Sequence, residues 1–136
     1  MSDVPNTIPP GSESVSKGGF NLYAGPFWRL PAGEGFHRFA FVVVDKHMNG
    51  SGSLHGGVLM TFSDVAMSQA ARAVNGTKAC NTVSLNCDFI GPGKLGDLVE
   101  ARVRVMRQTR TLIFLSAELA VGDRLLGTAS GLWKIA

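Results

Sequence analysis

Charge, cysteine and histidine are all scarce in this 136-residue chain, and each scarcity excludes something. Charged residues make up 17% against 45% hydrophobic. That balance describes a globular domain whose thin charged surface readily loses area to subunit contacts. The net charge is +3, but the thirteen Lys and Arg are scattered. Their densest group, Arg102, Arg104, Arg107 and Arg110, has no aromatic residue between its members, so the basic stripe with stacking rings of a nucleic-acid binder is missing. Two cysteines, Cys80 and Cys87, make no disulfide framework. Seven residues apart on one expected strand, they should point to opposite faces. Three histidines, His37, His47 and His55, are too irregularly spaced for a metal set. No apolar run is long enough to span a membrane. Residues 1–19 lack the apolar core of a secretory signal, so a cytoplasmic protein is expected.

Pro, Ser and Gly dominate residues 1–19, which reads as a flexible N-terminal arm. Residues 20–136 read as a single domain with one core. Phe20, Tyr23, Phe27 and Trp28 follow the arm and could cover a core or a pocket mouth. Residues 36–45 read as a strand with Phe39, Phe41 and Val43 on one face. A glycine-rich loop then leads to residues 57–74, a long stretch rich in Ala, Met and Leu that reads as a helix stopped by Asn75-Gly76. Apolar side chains cover most of its circumference, leaving an arc of Thr61, Asp64, Ser68 and Arg72. Beyond residue 78 the period changes to two. Val83, Leu85, Cys87 and Phe89 alternate with Thr82, Ser84, Asn86 and Asp88, and further alternating strands come after them with tight turns. One early buried helix followed by a meander predicts an α+β fold, an antiparallel β-sheet wrapped around one long central helix.

The glycines between Gly50 and Gly56 superficially suggest a dinucleotide fingerprint, but that motif needs a βαβ unit and parallel strands. Their other use is to bring backbone N–H groups close to a ligand at a helix N-terminus, which carries about half a positive charge. Such groups can polarise a carbonyl. Asp64 sits among apolar neighbours where an isolated carboxylate is costly to keep ionised. No serine or cysteine occupies a nucleophile elbow, so a carboxylate is the best base or nucleophile available. On local pattern alone, Asp64 is either part of a polar stripe or a reactive group.

The chain from about residue 36 to 135 resembles the hotdog-fold acyl-CoA thioesterases of the phenylacetate-pathway (PaaI) type. The resemblance is carried by Asn49, then His55-Gly56-Gly57, then Asp64-Val65-Ala66, in that order and spacing. Thr82-Val83-Ser84-Leu85-Asn86 and the turn from Gly91 to Asp97 add to it. The resemblance implies the hotdog fold and hydrolysis of an aryl or fatty acyl-CoA without metal or cofactor. It makes Asp64 the nucleophile or general base, and the Gly56 N–H the group polarising the thioester carbonyl with Asn49. It puts His55 near the sulfur or holding the loop, and has Ser84 orient water or Asp64. It implies a site shared across a homodimer, the dimers pairing into a homotetramer. Lys94, Arg107 and Arg110 are candidate contacts for the CoA phosphates, and Met60, Phe62 and Met67 candidate pocket residues. A non-catalytic acyl-CoA-binding hotdog protein is the alternative, as is a hotdog hydratase or dehydratase. The hydratases, however, use a different helix-start pattern.

Overall fold

The computed structural model describes residues 7–76 and 78–136. In chain order the elements are β1 (Glu13–Ser14), α1 (Gly19–Ala24), β2 (Trp28–Gly33), β3 (Phe36–Val42), α2 (Gly56–Val74), β4 (Cys80–Phe89), β5 (Leu98–Gln108), β6 (Leu112–Val121) and β7 (Arg124–Ile135). A short 3-10 turn, Asp45–His47, precedes the loop into α2. The strands form one antiparallel sheet in the order β1-β2-β3-β5-β6-β7-β4. It packs around α2, which touches β3 through β7. This is the hotdog arrangement expected from the sequence, with one long helix inside a curved sheet. A stretch expected to be a flexible arm contributes β1, and beyond it Val15 is buried in the core. Residues 1–6 of that expected arm lie outside the described residues.

The core explains why the helix is apolar on nearly every side. Phe62 of α2 meets Phe27 at 5.5 Å and Phe41 at 4.7 Å between ring centroids. Phe39, Phe41 and Val43 are all buried, as their alternation predicted. Trp133 of β7 is fully buried, and its indole N–H donates to Ser68 Oγ at 2.8 Å. One position on the expected polar arc is therefore the acceptor that lets a core tryptophan be satisfied. Phe62 and Met67 are fully buried, which removes both from the expected pocket lining. On the sheet's outer face Leu30, Ala40 and Leu98 form a small second cluster covered in part by Ile8.

Strand β4 departs from strict alternation. Thr82 pairs with Trp133, but Ser84 pairs with Leu132, a register shift around Val83. A bulge of this kind opposes two residues to one and switches the face of the residues beyond it. The shift overturns the expectation for the cysteines. Cys80 and Cys87 lie on opposite sides of the bulge, and both pack against the main core. Both are free thiols, and burial pushes the Cys87 thiol up from its ordinary value. Val83, which strict alternation groups with Leu85, is 57% exposed, while Leu85 packs against the core.

Candidate active site

The loop Met48–Leu54 is closed on itself before α2 begins. Asn49 Oδ1 accepts from the N–H groups of Ser51 at 2.9 Å and Ser53 at 3.0 Å. Backbone N–H groups can only donate, so the amide oxygen faces the loop. The Nδ2 donor is left without a partner among the described residues. His55 caps α2, its Nδ1 accepting from Gly57 N–H at 2.8 Å. That bond needs an unprotonated Nδ1, so neutral His55 carries its proton on the outward Nε2. Its own N–H donates to His47 O at 2.8 Å. The cap consumes the Gly57 N–H and leaves the Gly56 N–H at the positive end of a 19-residue helix. A Cβ at Gly56 would lie 3.3 Å from the Phe89 ring, so glycine lets β4 close over the helix start. The Asn49 loop thus leads through the Met48–Leu54 bridge to the helix start, where the Gly56 N–H remains.

Asp64 lies two turns further along α2, half-buried beneath β4. Thr82 Oγ1 donates to its Oδ1 at 2.6 Å. β4 is the last strand of the sheet, paired on one side by β7. The carboxylate therefore sits near an open sheet edge, held by a hydroxyl from the edge strand. At about 1.5 Å per residue, Asp64 stands about 12 Å along the axis from Gly56. No single carbonyl can touch both groups of one chain. Among the described residues no His, Cys, Asp or Glu cluster could hold a metal ion.

The thioesterase superfamily pattern matches residues 51–128. This stretch runs from the loop before His55 through α2 and β4 into β7. A Pseudomonas aeruginosa protein classed provisionally as an esterase is 34% identical over 112 residues, covering 82% of this chain and 84% of that one. The chain belongs to the thioesterase superfamily. Human acyl-coenzyme A thioesterase 13 is 31% identical over 77 residues, which span 57% of this chain and about half, 55%, of the human protein. The Escherichia coli PaaI protein from the phenylacetic acid degradation operon shares the fold at 24% identity and a TM-score of 0.75, with 85% of this chain and 83% of that chain covered. Membership makes this protein a thioester hydrolase.

Within this thioesterase, Ser84 does not stand where the resemblance implied. Its pairing with Leu132, next to inward-facing Trp133, turns it to the outer face of the sheet. The hydroxyl at Asp64 is that of Thr82, which was not among the residues expected at the site. Strict period two groups Thr82 with Ser84, and only the bulge separates them. Lys94 lies on the loop that packs against the start of α2, where Leu54 N–H donates to Gly93 O at 2.8 Å. Arg107 lies near the C-terminal end of β5, about 30 Å along an extended strand from its start, and Arg110 in the turn that follows. The three expected phosphate contacts do not converge within one chain.

Proposed function

We propose that the protein hydrolyses acyl-CoA thioesters at a site shared by two copies of the chain. Asp64 and Thr82 of one copy face Asn49 and Gly56 of the other. The observation carrying this reading is the separation within one chain: the carboxylate and the carbonyl-polarising N–H are about 12 Å apart along one helix. A second copy against the β4 edge would supply the missing half. The edge favours such a partner, because a ten-residue edge strand with exposed Val83 and Phe89 offers unpaired backbone groups and apolar surface. A further pairing of dimers into a homotetramer and a cytoplasmic location belong to the same reading. Among the described residues no helix is long and apolar enough to cross a membrane.

The chemistry comes from these parts. The Gly56 N–H, backed by the helix dipole, and the Asn49 amide draw charge onto the thioester oxygen. Asp64 either attacks the carbonyl carbon, giving a mixed anhydride that water then hydrolyses to the free acid, or takes a proton from a water that attacks it. The C–S bond breaks and the thiolate leaves. Thr82 keeps the carboxylate aimed, and Lys94, Arg107 and Arg110 contact the CoA phosphates from more than one subunit. The test offers a panel of aryl and fatty acyl-CoAs and tracks free thiol. Wild-type protein releasing no more thiol than Asp64→Ala on every substrate would refute the proposal. A single turnover in isotope-labelled water probes the two roles, since water attacking the aspartyl carbonyl of the anhydride leaves the label in the Asp64 carboxylate, whereas the general-base route places it only in the released acid.

A further inference from the structure

One element outside the superfamily stretch of residues 51–128 stands beside the site. It is α1, six residues long. A helix this short is marginal alone, yet it is pinned at its C-terminal end. His47, 2% exposed, bonds through Nε2 to Ala24 O at 2.6 Å, while its Nδ1 accepts from Val44 N–H at 3.1 Å. Lys46 Nζ donates to Tyr23 O at 2.6 Å. The pinning holds Phe20 in place, a ring that is 63% exposed and does not join the core. Phe20 forms one wall of a groove of about 360 Å³ whose other walls include Met48, Val58 and Thr61, with Lys46, His55 and Gly57 also lining it. Gly57, Thr61 and Asp64 succeed one another at four and three residues, so the groove runs along the helix face that carries the carboxylate. It is apolar on one side and polar where the helix begins. Its volume lies at the small end of ligand sites, enough for an acyl tail or an aryl ring but not for a nucleotide as well.

We propose that this groove binds the apolar acyl part of the thioester, and that Phe20, held out by the clamped α1, sets how strongly and how large an acyl group is accepted. The inference rests on the acyl-CoA thioesterase function proposed for the shared site. It commits the protein to acyl groups larger than acetyl.

The test compares binding of S-octyl-CoA, a thioether that cannot be hydrolysed, with binding of CoA by calorimetry. Wild type, Phe20→Ala and Thr61→Phe are measured, the last filling the groove. The wild type should bind S-octyl-CoA at least about tenfold more tightly than CoA, as burying several methylenes requires. Both variants should lose most of that ratio. Phe20 and Thr61 both border solvent, and an unchanged thermal midpoint shows that the variants are folded. Equal affinity of the wild type for the two ligands overturns the proposal, as does a ratio unchanged in both variants. Thiol release from octanoyl-CoA, run alongside, judges the hydrolase reading separately. An intact binding ratio with no thiol release sinks hydrolysis and supports the groove.

Discussion

Replacing Thr82 by valine removes one hydroxyl and little else. Valine is nearly isosteric, and its β-branch suits a strand. The bond lost is the 2.6 Å donation to Asp64 Oδ1. Hydrogen bonds to charged groups contribute about 1.5–3 kcal/mol. Asp64 is half-buried and Thr82 exposed, so water competes and the lower end applies. About 1.4 kcal/mol corresponds to a tenfold change in rate. Thr82→Val should therefore lower kcat about tenfold with KM within about twofold, because aiming the carboxylate matters in the transition state and not in substrate binding. Thr82→Ser, which keeps the donor, should stay near wild type. Ser84→Ala, altered on the outer face, should change kcat less than twofold. The assay is steady-state thiol release. A Thr82→Val enzyme at the wild-type rate would refute the reasoning, as would a Ser84→Ala enzyme that falls as far.

Three other outcomes are expected. Phe62→Ala empties the centre of the Phe27–Phe41–Phe62 cluster and should cost about 3–5 kcal/mol in denaturant unfolding; a loss under about 1 kcal/mol contradicts the packing described. Val83→Arg puts a charge on the bulge of the edge strand, and should give monomers by light scattering together with lost turnover; active monomers would defeat the shared site. His47 should make stability depend on pH. Burial lowers its pKa from 6.5, and nearby Lys46 lowers it further against the opposing bond to Ala24 O. Its neighbours are the Ala24 carbonyl, the Val44 N–H and the Phe41 ring at 5.1 Å, so a proton on Nδ1 would meet a donor. The neutral ring's contribution is present in full above pH 6.5 and is lost as pH falls below it, because the unfolded chain then binds the proton more readily. Thermal midpoints measured from about neutral pH down to about pH 5 should fall more steeply in the wild type than in His47→Asn; parallel curves would dismiss the clamp.

The helix and the meander were legible in the sequence because each has a single strong period. The run from Gly57 to Val74 is too long and too rich in Ala and Met for a strand, and α2 begins one residue earlier. Phe39, Phe41 and Val43 alternate, and all three are buried. The site was legible only as a set of spacings. Asn49 stands on the loop that leads into α2, and His55 and Gly56 open the helix. The sequence hides which hydroxyl meets Asp64, because a bulge inserts a residue without leaving a mark in composition. The same bulge brought Cys80 and Cys87 to one face. The burial of Phe62 and Met67 is hidden for another reason: a helix apolar all round does not say which apolar side lines a cavity.

Local chemistry along the chain determined that there is one buried helix, that a glycine-rich turn opens it, and that a single carboxylate interrupts its apolar surface. Those properties depend on neighbours a few residues apart, where periodicity and capping act. Tertiary structure decided what surrounds them. It chose Thr82 over Ser84, tied Trp133 to Ser68, placed Asp64 near an open sheet edge and stood Phe20 beside the helix start. Each of these contacts joins residues far apart in sequence, the first three through strand register and the last through the His47 and Lys46 bonds to α1, and a one-residue slip in register turns a side chain to the other face of a sheet.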